Sequence, residues 1–380
     1  MRTPHFLHAQ RLAPLRRGIN TLLLLLTGVA LTCGAEPITT PGAQWGPEGY
    51  QNRYPVTGHP AGSFLTWQWQ SLWKPDTPLS PDALLPLPPR LDLIQKPAEG
   101  AQLTWIGHST VLLQLDGLNI LTDPIFSNYA SPLPPFGPRR HQPPGLTMAQ
   151  LPHVDVVLIS HNHYDHMDLH SLRQLARQPG GAPLFLIPLG NEQWFLDNIP
   201  GTVLYGPGRN VRAMNWGDLQ WLQAQHGTVA FHFESVQHWS ARTLWDRNES
   251  LWGSWAVIHP SFRFWFSGDL GYSRDTQDIG RRYGYFDLAA IAIGAYEPRW
   301  FMHNHHIDPA QAVQVMQEVG ARQAVGIHWG TFRLSDEALD QPPKDLALAL
   351  RQQGLPQNRF FVMQHGETRP FALSPPTGKP

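Results

Sequence analysis

The sequence predicts a layered α/β fold in which several strands end in polar loops along one edge. Short apolar runs with β-branched or aromatic residues recur from Gln102 onward, and stretches of helical character lie between them. Four of these runs are followed within a few residues by histidine or aspartate. In layered α/β folds the loops at one edge converge over the sheet, and functional sites are assembled there.

The first strands of the regular domain are predicted from their apolar runs. Leu103–Ile106 and Thr110–Leu115 are expected to be successive strands, and an Asp-Gly turn signal leads to a third strand, Asn119–Asp123. A long Pro-rich loop, 127–150, follows. Because loops of this length are usually functional or disordered, we expect it to overhang the site.

The next apolar run, Val156–Ile159, predicts a buried strand that leads into a stretch rich in metal-ligand residues. That stretch contains His161, His163, Asp165 and His166. Neutral imidazole and carboxylate groups are the ligands that zinc and similar metals take. Alternate residues of an extended segment point the same way, so His161 and His163 can reach one ion. Asp165 and His166 lie past the bend and are placed to face a second ion. Asp168 is expected to cap a helix over 168–177.

Three later strands deliver further ligand residues. Thr228–Glu234 leads to His238, Phe262–Phe266 to Asp269, and 324–327 to His328. The predicted ligand set is His161, His163 and His238 on one ion, Asp165, His166 and His328 on another, and Asp269 between them. Such a set suits two ions about 3.5–4 Å apart, which make water nucleophilic near neutral pH. The sequence therefore predicts hydrolysis of an ester or phosphoester.

The N-terminus is predicted to be a secretory signal peptide over residues 1–35. Its four arginines occur without an acidic residue and precede an apolar segment, Ile19–Leu31. We expect export to a bacterial periplasm or cell envelope. Alternatives are lipid anchoring at Cys33, a twin-arginine signal, and an uncleaved anchor. The net charge of −1 argues against nucleic acid as a partner, because phosphate binding needs clustered Lys and Arg.

Residues 36–100 are expected to form a Pro/Trp-rich N-terminal extension, ahead of a hydrolase domain over 101–370. Within the extension, Ser63–Trp73 suits an amphipathic helix or a strand. Its aromatic residues would pack on the core or offer an apolar surface to lipid.

The ligand pattern resembles the metallo-β-lactamase superfamily, a family of αββα sandwiches with a binuclear zinc site. Further segments resemble the branch of N-acylphosphatidylethanolamine-hydrolysing phospholipases D. These segments are Trp105–Thr110, Leu121–Ser127, Leu158–His166, Leu251–Trp255, Ile293–Met302 and Ile327–Phe332. The resemblance runs from about residue 50 to 366. It implies that the seven ligands above hold two Zn²⁺ ions or other divalent transition metals.

The same resemblance implies an activity and two substrate-binding residues. A hydroxide that bridges the metals attacks the phosphorus of a phospholipid and releases phosphatidic acid and a head-group alcohol. Asp165, Asp269 and His306 are the expected catalytic residues, and His306 would hold the phosphate or assist the leaving oxygen. His306 matches a histidine beside the substrate phosphate, although it also suits a helix start capped by Asp308. Tyr296 is the second expected substrate-binding residue.

The expected partners are a phospholipid substrate, a membrane surface in peripheral contact, and a second copy of the chain in a homodimer. The export signal departs from the family and leaves the natural substrate open. One alternative is a lactonase or small-ester hydrolase of the same superfamily. Another, from a different class, is a non-catalytic envelope protein that binds lipid or metal.

Overall fold

The computed structural model describes residues 40–373, apart from residues 57, 59, 61, 72–84 and 98. The predicted signal peptide and Cys33 lie outside the described residues, as does the end of the 63–73 segment. The strands are β1 (Trp45–Gly46), β2 (Gly49–Tyr50), β3 (Ala101–Gly107), β4 (Thr110–Leu115), β5 (Leu118–Thr122), β6 (Val156–Leu158), β7 (Leu184–Pro188), β8 (Val211–Met214), β9 (Leu219–Gln223), β10 (Thr228–Glu234), β11 (Ser254–His259), β12 (Phe262–Phe266), β13 (Phe286–Ala292), β14 (Ala321–Ile327), β15 (Phe360–Val362) and β16 (Thr368–Phe371). The helices are α1 (Ser63–Ser71), α2 (Leu91–Gln95), α3 (Leu169–Leu175), α4 (Glu192–Asn198), α5 (Asp275–Tyr283), α6 (Arg299–Met302), α7 (Pro309–Glu318) and α8 (Gln341–Gln352).

Two seven-stranded sheets form the centre of the described fold. The first has the order β16-β3-β4-β5-β6-β7-β8, and the second has the order β15-β14-β13-β12-β11-β10-β9. Each sheet is antiparallel in one half and parallel in the other, with parallel pairs from β5 to β8 and from β12 to β15. The parallel strands of one sheet end at the same edge.

The two faces of each sheet are buried in different ways. Val111 and Leu113 of β4 pack with residues of the second sheet, such as Phe264, in the core between the sheets. Leu112, which points to the opposite face, packs with Leu172 of α3 in an outer core. Residues of α7 and α8 cover the other side of the second sheet. The predicted four-layer αββα sandwich is therefore confirmed.

Several predicted elements match the observed ones. Thr110–Leu115, Thr228–Glu234 and Phe262–Phe266 are strands with the predicted bounds. Asp168 caps α3 by accepting a hydrogen bond from the Ser171 backbone nitrogen, and the ambiguous segment of the extension is helical, as α1. Among the described residues, no helix has the length and apolar character needed to cross a bilayer.

The Pro-rich loop 127–150 is held by specific contacts. Arg140 donates hydrogen bonds to the carbonyl oxygens of Ile125 and Ser127 and forms an isolated β-bridge with Phe332. The loop therefore packs beside the segment that follows β14, next to the edge where the predicted ligands are located.

Candidate metal centre

The predicted ligands meet at the edge where the parallel strands end. The loop after β6 carries four of them, and the loops after β10, β12 and β14 carry one each. Strands β12 and β14 are both parallel to β13, and β10 runs parallel to β12 because each is antiparallel to β11. Strands β10, β12 and β14 therefore end on one side of the second sheet, which brings together His238, Asp269 and His328.

The backbone at this edge adopts unusual conformations. His108, Asp123 and His328 have positive φ angles of 54°, 32° and 62°. Such angles are uncommon for residues with a side chain and cluster at functional sites. Gly268, just before Asp269, has a φ of 58°, and a Cβ added there would lie 2.6 Å from the Ser160 Cβ. This position therefore requires glycine.

The first histidine group consists of His161, His163 and His238. One ring nitrogen from each lies within 4.8 Å of the others, and His161 Nε2 is 2.8 Å from His163 Nδ1. The rings of His161 and His238 are 1% exposed. Three imidazole nitrogens that converge in this way match the ligand set of a zinc-type ion.

The second group consists of Asp165, His166 and His328, as predicted, together with His108. Asp165 Oδ2 lies 3.3 Å from His166 Nε2 and 3.4 Å from His328 Nε2. His108 Nε2 lies 2.9 Å from the same oxygen, so His108 fixes the orientation of the Asp165 carboxylate.

Asp269 lies between the two groups. Its Oδ2 is 3.1 Å from His166 Nε2 and 3.0 Å from His328 Nε2. The same oxygen is 3.9 Å from the Nε2 atoms of His161 and His238. Although burial opposes ionisation, His166 and His328 hold the pKa of Asp269 well below its usual value of 3.8. A charged carboxylate is thus shared by both groups.

Outer contacts set the tautomers of the ligand rings. Asp123, which is fully buried, accepts from His166 Nδ1 at 2.6 Å and from Ser160 Oγ at 2.5 Å. Ser160 Oγ in turn accepts from His161 Nδ1 at 2.8 Å, a direction assigned from the hydrogen-bond network. Because both Nδ1 atoms are engaged on the outer side, the Nε2 atoms of His161 and His166 face the centre and are the nitrogens left to bind a metal. One carboxylate therefore orients a ligand in each group.

The electrostatics differ between the groups. Burial lowers the pKa of the His161 and His238 imidazoles well below 6.5 and that of His163 to about 4. These rings are neutral at pH 7 and keep the lone pair that a metal requires. For His328, burial alone would lower the pKa, but the Asp269 and Asp165 carboxylates together outweigh burial and the pKa rises to about 9.

The unpaired atoms of the centre show what it can hold. Buried atoms without a hydrogen-bond partner among the described residues include His238 Nε2 and Asp269 Oδ1. A buried polar atom left unpaired costs about 1–3 kcal/mol. Because cations would coordinate such atoms directly, the donor set fits bound metal.

Comparison with known proteins agrees with this geometry. A family model described as a β-lactamase superfamily domain matches residues 118–329. The chain is 38% identical over 268 residues to N-acyl-phosphatidylethanolamine-hydrolyzing phospholipase D 1 of Caenorhabditis elegans, covering 70% of this chain and 74% of that protein. The chain belongs to the metallo-β-lactamase superfamily. It lies in the branch of that relative and is a metal-dependent hydrolase.

Two further comparisons extend the family assignment. The mitochondrial N-acyl-phosphatidylethanolamine-hydrolyzing phospholipase D of Saccharomyces cerevisiae is 33% identical over 273 residues, which cover 70% of this chain and 55% of that protein. A metallo hydrolase from Ignicoccus hospitalis has a TM-score of 0.52 at 20% identity, and the match covers 71% of this chain and 98% of that one. The latter similarity concerns the fold alone.

The two predicted substrate-binding residues have different surroundings in this metallo-β-lactamase fold. His306 Nδ1 lies 3.9 Å from Asp269 Oδ2, and the His306 side chain is 14% exposed. Asp308 also caps α7 by accepting from the Gln311 backbone nitrogen. Tyr296 is buried, and its hydroxyl donates to Asp345 at 2.5 Å. His306 therefore borders the metal centre, and the substrate-binding role of Tyr296 stays a prediction.

Sequence reasoning missed two residues that hold the centre in place. Asn52, in the N-terminal extension, donates to the His238 carbonyl and accepts from its backbone nitrogen, each at 3.0 Å. Arg242 Nη1 donates to the carbonyls of Asn162 and Met167 at 2.7 and 2.9 Å. An asparagine in an irregular segment and a lone arginine in a loop give no periodic signal, so neither could have been identified.

Proposed function

We propose that the protein is a binuclear zinc-dependent phosphodiesterase of phospholipase D type that hydrolyses N-acylphosphatidylethanolamine or a related phospholipid. The strongest support is that Asp269 Oδ2 lies within 3.9 Å of ring nitrogens from both histidine groups. A carboxylate in that position suits two cations held close together. The 38% identity with the C. elegans phospholipase supports the substrate class.

The residues that would hold the metals follow from the two groups. One ion would bind His161, His163 and His238, the other would bind Asp165, His166 and His328, and Asp269 would contact both. When bound, such ions polarise a phosphoryl oxygen and make water a competent nucleophile at neutral pH. The neutral state of the first group suits this role because a protonated imidazole cannot bind a metal.

The chain's own carboxylates would orient the attacking water by accepting hydrogen bonds from it. Asp269 Oδ1 is buried and has no hydrogen-bond partner among the described residues, so it is available to hold a proton of that water. Asp165, in the second group, would also orient this water, and His108 fixes the orientation of the Asp165 carboxylate. The new bond joins the water oxygen to phosphorus, and the bond from phosphorus to the head-group oxygen breaks.

His306 would position the substrate phosphate or assist the leaving oxygen. Burial lowers the pKa of His306 to about 4, against the opposing charge of Asp269. The ring is therefore neutral at pH 7 and can donate one N–H to a phosphate oxygen. Arg299 Nη1 donates to the His306 carbonyl at 2.8 Å and so limits movement of the ring. The proton lost by water would end on the head-group alcohol.

A cavity lies beside residues 159–168, the loop after β6 that we call the metal loop, although none of the seven predicted ligands lines it. Its volume is about 810 Å³, and its lining includes Tyr164, Trp194 and Arg242. This volume falls in the range of sites that take drug-sized or larger ligands. A mixed lining of aromatic and charged side chains suits a molecule with both an apolar chain and a polar head.

Membrane contact and export are part of the proposal. α1 exposes Leu65 (71%) and Trp69 (65%), which supports peripheral contact with lipid. The basic and apolar layout of residues 1–35 supports export to the periplasm or cell envelope. A homodimer remains part of the proposal on the resemblance alone.

The test is product analysis with zinc-loaded protein. We expect mass spectrometry to detect phosphatidic acid and N-acylethanolamine from N-acylphosphatidylethanolamine vesicles, with a lower rate on ordinary phosphatidylethanolamine. Asp269→Asn should abolish release, while Asp155→Asn, at the opposite end of β6, should retain it. Opening of a lactone without release of phosphatidic acid would refute the proposal and favour the small-ester alternative.

A further inference from the structure

The turn 241–247 presents two adjacent apolar side chains to solvent. Leu244 is 88% exposed and Trp245 is 85% exposed. Single exposed apolar residues are normal on soluble proteins and need no explanation. A neighbouring leucine and tryptophan that are both almost fully exposed are different, because each loses the stabilisation that burial would give.

Hydrogen bonds hold this turn in shape. The Asp246 carboxylate accepts from the backbone nitrogens of Arg242 (3.0 Å) and Thr243 (2.7 Å). Thr243 Oγ1 accepts from the Trp245 backbone nitrogen at 3.1 Å. The turn therefore holds the apolar pair outward in a fixed conformation, and the acidic side chain is directed back to the backbone.

The same turn is tied to the metal loop. Arg242 donates to two carbonyl oxygens of that loop, and the Tyr164 hydroxyl donates to the Arg242 carbonyl at 2.6 Å. The Arg242 guanidinium also lies 4.2 Å from the centroid of the Tyr164 ring. The exposed pair is thus fixed beside the metal centre rather than on a remote face.

A second apolar segment borders the same cavity. Leu133 and Phe136 of the Pro-rich loop are 69% and 75% exposed. Ser131 and Pro134 of this loop line the 810 Å³ cavity together with Arg242. Two apolar tips, 241–247 and 131–137, therefore flank one cavity mouth.

We propose that these two tips insert into the head-group region of a phospholipid bilayer and turn the cavity mouth toward the membrane. Leucine and tryptophan are side chains that enter this region, where the amphipathic indole is favoured. Arg247 at the end of the turn is exposed, lies with its guanidinium 4.3 Å from the Trp239 ring and is near the charge of Glu48; its own charge suits lipid phosphate groups. Trp239 in turn contacts His163 of the metal centre. The catalytic consequence rests on the proposed function, but membrane insertion does not.

A fluorescent label tests insertion independently of catalysis. Because Cys33 is the only cysteine, Cys33→Ser gives a background in which Leu244→Cys carries a single nitrobenzoxadiazole label. Vesicles of phosphatidylethanolamine and phosphatidylglycerol should shift its emission to the blue and increase its intensity. The same label at Tyr205→Cys, a position 83% exposed, should not respond. An unchanged Leu244→Cys signal would overturn the proposal, as would a shift that depends on protein concentration without vesicles, because that result indicates a second copy.

Kinetics with two substrates test the catalytic consequence. The Leu244→Ser/Trp245→Ser variant should raise KM for vesicle substrate by about a hundredfold, since each of the two inserted side chains contributes about a tenfold factor to binding. Its hydrolysis of water-soluble bis(p-nitrophenyl) phosphate should be unchanged. An equal loss on both substrates would indicate damage to the metal centre and refute the role of the tip. If the native protein releases no phosphatidic acid but the label still responds to vesicles, the proposed function is refuted and the proposal of membrane insertion is supported.

Discussion

Replacement of Asp123 by asparagine should weaken the metal centre without touching a metal ligand. Asp123 Oδ2 accepts from His166 Nδ1 at 2.6 Å and from Ser160 Oγ at 2.5 Å. An amide nitrogen at that position is a donor, so both contacts would be lost. The tautomers of the His166 and His161 rings would then no longer be fixed. A hydrogen bond to a charged group contributes about 1.5–3 kcal/mol, and 1.4 kcal/mol is a factor of ten. We therefore expect metal affinity to fall about 10- to 100-fold, which agrees with other outer-shell substitutions.

The assay for Asp123→Asn is zinc competition against a chelator of known affinity, with thermal unfolding measured on the same samples. Asp155→Asn is the matched control because Asp155 Oδ2 accepts from the Asn119 backbone nitrogen at the other end of β6. Ser160→Ala removes the hydroxyl that links Asp123 to His161 but leaves the hydrogen bond from His166 to Asp123. We therefore expect a smaller loss of zinc affinity, about tenfold. A folded Asp123→Asn protein with native zinc affinity would refute the reasoning about tautomers.

Three further predictions concern the same edge of the fold. Gly268→Ala should reduce activity at least tenfold, which corresponds to about 1.4 kcal/mol. The added Cβ would displace the backbone next to Asp269, and a native kcat/KM would contradict this prediction. The pKa of His328 is raised to about 9, so this ring is protonated at pH 7 before metal binds, and the carboxylates around His166 raise its pKa in the same direction. Calorimetry in buffers of different ionisation enthalpy should show proton release on metal binding and an affinity that rises with pH; no release would contradict it. Asn52→Ala should cost about 1–2 kcal/mol in unfolding free energy and lower zinc affinity in the competition assay, and an effect on stability alone would place this residue outside the metal centre.

Much of the site was predictable because strand ends are visible in the sequence. The apolar runs at Thr228–Glu234 and Phe262–Phe266 have the bounds of the observed strands, and their parallel arrangement places the next ligand at the common edge. The dense 161–166 stretch and the later ligands therefore fall together as predicted. Their roles in catalysis remain predictions until the variants are measured.

Other features could not be read from the sequence for physical reasons. The segment at Ser63 has apolar residues compatible with both helical and strand periods, and its contact between Trp67 and Phe301 of α6 depends on tertiary structure. Strand β9 has exposed residues such as Trp221, so its pattern is weak. The contacts of Asn52 and Arg242 join distant loops through backbone carbonyls and leave no sequence period.

Metal analysis of the purified protein tests the central claim most directly. Elemental analysis by mass spectrometry should give two zinc-type ions per chain, and combined His161→Ala and His163→Ala should leave one ion. Phosphatidic acid release should disappear on chelation and return with added zinc. A native protein that contains less than one ion per chain and keeps full activity after chelation would contradict the claim.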